Sequence, residues 1–215
     1  MQMRFVFILT IGLTINSRGQ TQEKECACPS NQYADSKPET TFHFTNGKDI
    51  ALCGYSETKG SEKIYSEFVL AVCGQDKILD FWDAMTSCKI RVTGDTLIID
   101  ELKYLPTGDD LNFKSTLWTS QKVYFKNNEV QRRIKVNRGI RKYSRLEIDR
   151  VIKEFEHAER YVEGLADKLF MATLSGDKKA RQYFIDYKTK FGPLDGYVAE
   201  DYNELTAMLK VWDNA

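Results

Sequence analysis

The spacing of hydrophobic and polar residues changes once along this chain. From Thr41 to about Asn137, hydrophobic residues recur at nearly every second position, which is typical of half-buried β-strands. After Tyr143 they recur at steps of three and four, which is typical of amphipathic helices. Strands followed by helices, without βαβ alternation, predict an α+β fold with a β region over 41–138 and a helical region over 139–215.

Three turn signals divide the β region into antiparallel hairpins. Asn46-Gly47, Gly94-Asp95 and Asn127-Asn128 each lie between two short alternating segments, as expected of two-residue hairpin turns. One segment departs from this pattern and fits a short helix with Asp76 as its N-cap. The hydrophobic residues of that expected helix are Ile78, Leu79, Trp82 and Met85.

The C-terminal region predicts about three helices packed on or beside the sheet. Ser144 and Glu147 have the spacing of a capping box, which marks the start of the first helix. Gly164 lies within that helix and is expected to permit a bend. The expected helices run from Ser144 to Ala172, from Asp177 to Gly192-Pro193, and from about Ala199 to Trp212.

Residues 1–19 have the layout of a secretory signal peptide. An apolar run from Phe5 to Ile15 precedes Ser17-Arg18-Gly19, which places small residues at the two positions that a signal peptidase reads. The run is far shorter than the roughly 20 residues that span a membrane. We therefore expect cleavage near Gly19, a polar arm over 20–40, and a mature chain that is secreted or periplasmic without a membrane span.

Five cysteines follow this segment, and in an exported protein they favour disulfides. Zinc sites prefer C-x2-C pairs and thioredoxin-like sites need C-x-x-C before a helix, and the sequence has neither. We expect two disulfides in the β region, each contributing about 2–4 kcal/mol by restricting the unfolded chain. The candidates are Cys26, Cys28, Cys53, Cys73 and Cys88, and either Cys26 or Cys28 is expected to be unpaired.

The strongest local charge imbalance lies across the junction of the two regions. The whole chain carries 31 basic and 31 acidic residues, so no net charge attracts nucleic acid or anionic membranes. The basic run is a candidate site for an anionic partner, because arginine grips carboxylates and phosphates with paired N–H donors. Alternatively, it is a solvated strand and linker that protects a sheet edge from aggregation. Its members are Arg132, Arg133, Lys135, Arg138, Arg141, Lys142 and Arg145.

The sequence contains no recognisable motif for catalysis, cofactor binding or metal binding. The two histidines, His43 and His157, are predicted on the polar faces of a strand and a helix. Glu154 and His157 have the spacing of a di-iron ligand pair, but the second pair that such a bundle requires is lacking. Asp109-Asp110 lacks the alternating oxygen ligands of a calcium loop. No catalytic, cofactor-binding or metal-binding residues are therefore predicted.

These observations favour an exported, non-enzymatic protein that binds a protein or a surface polymer. The alternative is an extracytoplasmic hydrolase that uses carboxylates alone, because two acids can meet in space without any sequence motif. A deep pocket with two unpaired carboxylates would favour the hydrolase. An apolar surface patch with aromatic residues would favour the binding protein.

Overall fold

The structure, a computed structural model, describes residues 26–30 and 37–215. Within these ranges an antiparallel eight-stranded sheet precedes five α-helices, which confirms the predicted α+β class. The expected signal peptide lies outside the described residues. None of the described helices is both long enough and apolar enough to cross a membrane.

The strands precede all five α-helices in the described chain. The strands are β1 (Thr40–His43), β2 (Asp49–Lys59), β3 (Glu62–Val72), β4 (Ile78–Trp82), β5 (Ser87–Thr93), β6 (Thr96–Leu105), β7 (Lys114–Lys126) and β8 (Glu129–Val136). The helices are α1 (Arg145–His157), α2 (Leu165–Leu174), α3 (Lys178–Ile185), α4 (Tyr187–Phe191) and α5 (Gly196–Asn214).

The sheet has the strand order β1-β2-β3-β5-β6-β7-β8, with β4 paired to the same edge of β3 as β5. All three predicted hairpins are confirmed, between β1 and β2, β5 and β6, and β7 and β8. Sequence reasoning missed a fourth, between β2 and β3, which turns at Gly60-Ser61. Gly60 has a φ of +65°, a conformation that glycine adopts without a steric penalty.

The short helix predicted after Asp76 is wrong. Its residues from Ile78 to Trp82 form strand β4, which pairs with β3 from Trp82 opposite Phe68 to Ile78 opposite Ala71. The Trp82 ring is buried and stacks on Phe68 with 4.5 Å between centroids. Over so few residues the apolar spacing fits either a helix or a strand. The segment forms a strand because the open edge of β3 supplies hydrogen-bond partners for its backbone.

The sheet curls around its own apolar cluster, which includes Phe68, Leu97 and Val123. Contacts between distant strands show the curl. The ring of Phe125 on β7 lies 5.0 Å from that of Phe44, which follows β1. A second, larger cluster joins one end of the sheet to the helices, so the two regions share a core there.

The single long helix predicted from Ser144 to Ala172 is wrong, since the chain forms α1 and α2 instead. The capping box of Ser144 and Glu147 is confirmed at the start of α1. Irregular chain then leads from Ala158 to Gly164, which has a φ of +72° and precedes α2. A Cβ at Gly164 would lie 3.1 Å from the Phe113 ring, so this break brings the helices close to the sheet.

Two disulfides tie the N-terminal segment to the sheet. Cys26 bonds to Cys73 and Cys28 to Cys53, with Cα–Cα distances of 4.8 and 5.8 Å. The expectation that Cys26 or Cys28 is unpaired is wrong, because the free cysteine is Cys88. Cys53 faces one side of the sheet with the N-terminal cysteines, whereas Cys88 lies in the cluster on the other side and cannot reach them.

We expect the oxidised protein to hold one thiol that reacts only after unfolding. Burial raises the pKa of the Cys88 thiol well above its ordinary value, so the reactive thiolate is scarce at neutral pH. Thiol titration should find almost no reactive thiol in the native protein and one reactive thiol per chain in non-reducing denaturant. The matched variant Cys88→Ala should show none in either state. More than one thiol in the unfolded, unreduced chain would contradict the disulfide pairing.

Candidate functional site

The residues that the sequence offered for metal or proton chemistry are dispersed. His43 Nδ1 lies 2.8 Å from Asp49 Oδ1, and His157 Nδ1 lies 2.7 Å from the carbonyl of Lys153. Glu154 pairs with Lys168 at 2.8 Å. Among the residues that the structure describes, no group of three or more His, Cys, Asp or Glu side chains is arranged to hold a metal ion.

The basic run is divided between the sheet and the helices. On β8, Arg132 pairs with Asp80 of β4 at 2.5 Å, and the guanidinium of Arg133 lies 5.9 Å from the centroid of the Tyr124 ring. Lys135 is also on β8, opposite Ser120. These strand residues are exposed.

The remaining four members of the run contact the helices. Arg138 lies over the Trp212 ring at 4.2 Å and donates to the Ala215 carbonyl at 3.0 Å. Lys142 donates to the Leu174 carbonyl at the end of α2, where a cation complements the helix dipole. Arg141 pairs with Glu147 and Arg145 with Asp177. Because these partners are separate, an anionic-partner site spanning the whole run stays a prediction.

A cleft of about 710 Å³ opens between one end of the sheet and the helices. We call it the acidic–aromatic cleft. Its lining residues are Met85, Tyr104, Phe113, Tyr161, Glu163, Gly164, Asp167, Tyr197, Glu200, Asp201 and Glu204. A depression of about 400 Å³ adjoins it and reaches Lys103. Another depression, about 780 Å³, borders the Cys26–Cys73 disulfide, and none of the described residues that line it has a buried polar side chain.

Helix α5 supplies one wall of the acidic–aromatic cleft. Tyr197, Asp201 and Glu204 follow one another at steps of four and three, which places them on one face of the helix. The neighbouring face, with Tyr202 and Leu205, is buried in the core. The sequence predicted this helix, but sequence reasoning missed that its acids form a stripe with an exposed tyrosine.

Asp167, in the first turn of α2, is the most buried acid of the cleft, with 7% of its surface exposed. Its carboxylate accepts a hydrogen bond from its own backbone N–H. Burial, together with the charges of Asp201 and Glu204, raises the pKa of Asp167 to about 7. The adjacent Lys168 is engaged by Glu154, and among the described residues no cation pairs with Asp167.

Of the other four acids of the cleft, only Glu204 forms a salt bridge with a residue that the structure describes. Lys103 of β6 pairs with Glu204 and lies 3.3 Å from Glu101. Burial and the charge of Glu204 raise the pKa of Asp201, which forms no salt bridge within the described ranges. Among the described residues, Asp167 and Asp201 therefore have no counter-ion, and the cleft carries a negative field.

Aromatic side chains surround these acids. Tyr104 and Tyr197 are 69% and 66% exposed, which is a large apolar surface to leave in water. The Tyr104 ring lies 5.6 Å from that of Phe113. Tyr161 is hydrogen-bonded to Tyr197, and burial raises the pKa of Tyr161 to about 12, so the Tyr161 ring stays neutral at physiological pH. The arrangement suits a ligand that carries both a positive charge and an apolar part.

None of the cleft residues was identified from the sequence as a candidate site. Tyr104, Asp167 and Asp201 come from three elements that are far apart in the chain, and no motif connects them. Comparison of the chain with protein-family models, with curated proteins and with solved structures gave no match.

Proposed function

We propose that this protein is an exported, non-enzymatic binding protein that holds a protein or surface-polymer partner in the acidic–aromatic cleft. The observation that carries the proposal is the pair of exposed tyrosines, Tyr104 and Tyr197, beside two acids, Asp167 and Asp201, for which the described part of the chain supplies no counter-ion. Exposed aromatic residues around a concave site are typical of binding surfaces, where tyrosine is enriched among the residues that dominate affinity.

Export is supported by the disulfides and by the expected signal peptide. Cys26–Cys73 and Cys28–Cys53 would persist in an oxidising compartment and be reduced in most cytosols. The N-terminal segment carries one half of each disulfide, so it is fixed to the sheet at both cysteines. The proposal therefore places the protein in the periplasm or outside the cell.

Partner capture with cleft variants tests the binding proposal. The double variant Tyr104→Ala/Tyr197→Ala should lose the partner, with affinity reduced at least thirtyfold, because truncating a central tyrosine commonly costs about 2 kcal/mol or more. Tyr55→Ala is the matched control, since Tyr55 is 57% exposed on β2 and does not line the cleft. The wild type, the double variant and the control would each be immobilised and exposed to the extracytoplasmic fraction, and the captured partner would be quantified. Thermal unfolding would verify that all three proteins fold. Equal capture by all three would contradict the proposal.

The second candidate is a hydrolase that uses carboxylates alone, and one observation favours it. A carboxyl with a pKa of about 7, Asp167, lies near Glu204, which pairs with Lys103. Glycoside hydrolysis requires such a pair, with one neutral acid and one carboxylate. Release of reducing ends from a surface polysaccharide, abolished by Asp167→Asn, would favour this candidate over the binding protein.

A further inference from the structure

We infer that the acidic–aromatic cleft selects an organic cation, namely an alkylammonium or guanidinium group carried on an apolar chain. The inference rests on the proposed function and adds the chemical class of the group that the cleft receives. It follows from three features of the cleft, which are its charge, the burial of one acid and the rings around the acids.

The charge of the cleft is one-sided. Of the described residues that line it, five are acidic and none is basic. The two lysines of the adjoining depression are both engaged by acids, Lys103 by Glu204 and Lys59 by Glu57. A positive group that enters the cleft would therefore meet Asp167 and Asp201, which no basic side chain of the described residues neutralises.

The burial of Asp167 points independently to a ligand. A carboxylate that is more than nine-tenths buried is normally paired, because removing its charge from water is costly. Asp167 lines both the cleft and the adjoining depression, and its own backbone N–H is its hydrogen-bond donor. An ammonium or guanidinium group in the cleft would supply the missing charge and the missing donors.

The rings favour an organic cation over a metal ion. Magnesium and calcium require several oxygen ligands around them, whereas these acids are flanked by Tyr104, Tyr161 and Tyr197. The described acids also do not converge in a metal-binding group. Aromatic faces attract ammonium and guanidinium groups and cover the chains that carry them. A cleft of about 710 Å³ has room for such a group and its chain.

Binding of defined cations to the full-length mature protein tests the inference. The probes are spermidine and the capped peptide acetyl-Gly-Gly-Arg-Gly-Gly-amide, and the matched probe replaces arginine with uncharged citrulline. Calorimetry should show binding of at least one cation and at least tenfold weaker binding of the citrulline peptide. Preference for the arginine peptide would assign the cation to a protein side chain, and preference for spermidine would assign it to a free amine.

The variant Asp167→Asn should weaken binding of the cation at least tenfold. Glu129→Gln is the matched control, because it also removes one negative charge but lies on exposed β8 outside the cleft. The inference is overturned if neither spermidine nor the arginine peptide binds more tightly than the citrulline peptide. It is also overturned if Asp167→Asn leaves binding of the cation unchanged. If no cation binds while the tyrosine variants still lose the partner, the inference fails and the proposed function stands.

Discussion

Replacing Asp167 with asparagine should stabilise the unliganded protein at pH 8 and leave its stability near pH 4 almost unchanged. Burial and the charges of Asp201 and Glu204 raise the pKa of Asp167 from 3.8 to about 7 in the folded protein. The fold therefore favours the neutral carboxyl. Its contribution to stability is fully present below the unfolded pKa and is lost as the pH rises through about 7.

The size of the effect follows from the shift in pKa. One pKa unit corresponds to 1.36 kcal/mol, so this shift corresponds to roughly 4 kcal/mol of stability between acid and alkaline pH. Asparagine resembles the neutral carboxyl and does not ionise, so it should remove this loss. Urea unfolding of both proteins at pH 4, 6 and 8 measures the difference in unfolding free energy directly.

The control for this experiment is Glu129→Gln, which changes an exposed acid. Its free energy of unfolding should equal that of the wild type at each pH tested. If the difference in unfolding free energy between wild type and Asp167→Asn stays constant from pH 4 to pH 8, Asp167 does not titrate as the structure requires. A gain in stability on neutralising a buried acid is typical of functional sites, which retain costly groups for their ligands.

The variant Gly54→Ala should destabilise the protein by roughly 3 kcal/mol or more, because the added methyl group has no space. Gly54 lies at a register shift between β2 and β3. A Cβ there would lie 2.3 Å from the Glu67 carbonyl oxygen and 2.4 Å from the Phe68 Cα. Both are parts of the main chain, so the two strands would have to separate beside the buried Phe68 ring.

Gly139→Ala is the control for this second prediction. Its Cβ would approach only the side chain of Asn137, at 3.2 Å, and both substitutions restrict the unfolded chain equally. Urea unfolding should show a loss below about 1 kcal/mol for Gly139→Ala. Equal stability of the two variants would mean that β2 and β3 are not as close at Gly54 as the structure shows.

Several elements that depend only on neighbouring residues were predicted correctly from the sequence. The Asn46-Gly47 turn and the capping box at Ser144 depend on contacts within a few residues, which the sequence specifies directly. Asp177 also caps α3 as expected, accepting from the N–H of Ala180 at 2.8 Å. The order of strands before helices follows for the same reason, because hydrophobic periodicity is a local property.

Elements that depend on distant partners were decided by the tertiary structure. Strand β4 exists because β3 offers it an open edge, and the predicted first helix breaks before Gly164, which packs against Phe113. Cys88 is unpaired because strand alternation places it on the opposite face from Cys53.

By itself, the sequence determined the α+β class, three of the hairpin turns and the helix caps at Ser144 and Asp177. The tertiary structure alone decided the candidate site, since it brings Tyr104 of β6, Asp167 of α2 and Asp201 of α5 to one cleft. The raised pKa of Asp167 has the same origin. Burial and neighbouring charges arise only when separate elements pack together, and no local pattern of residues records them.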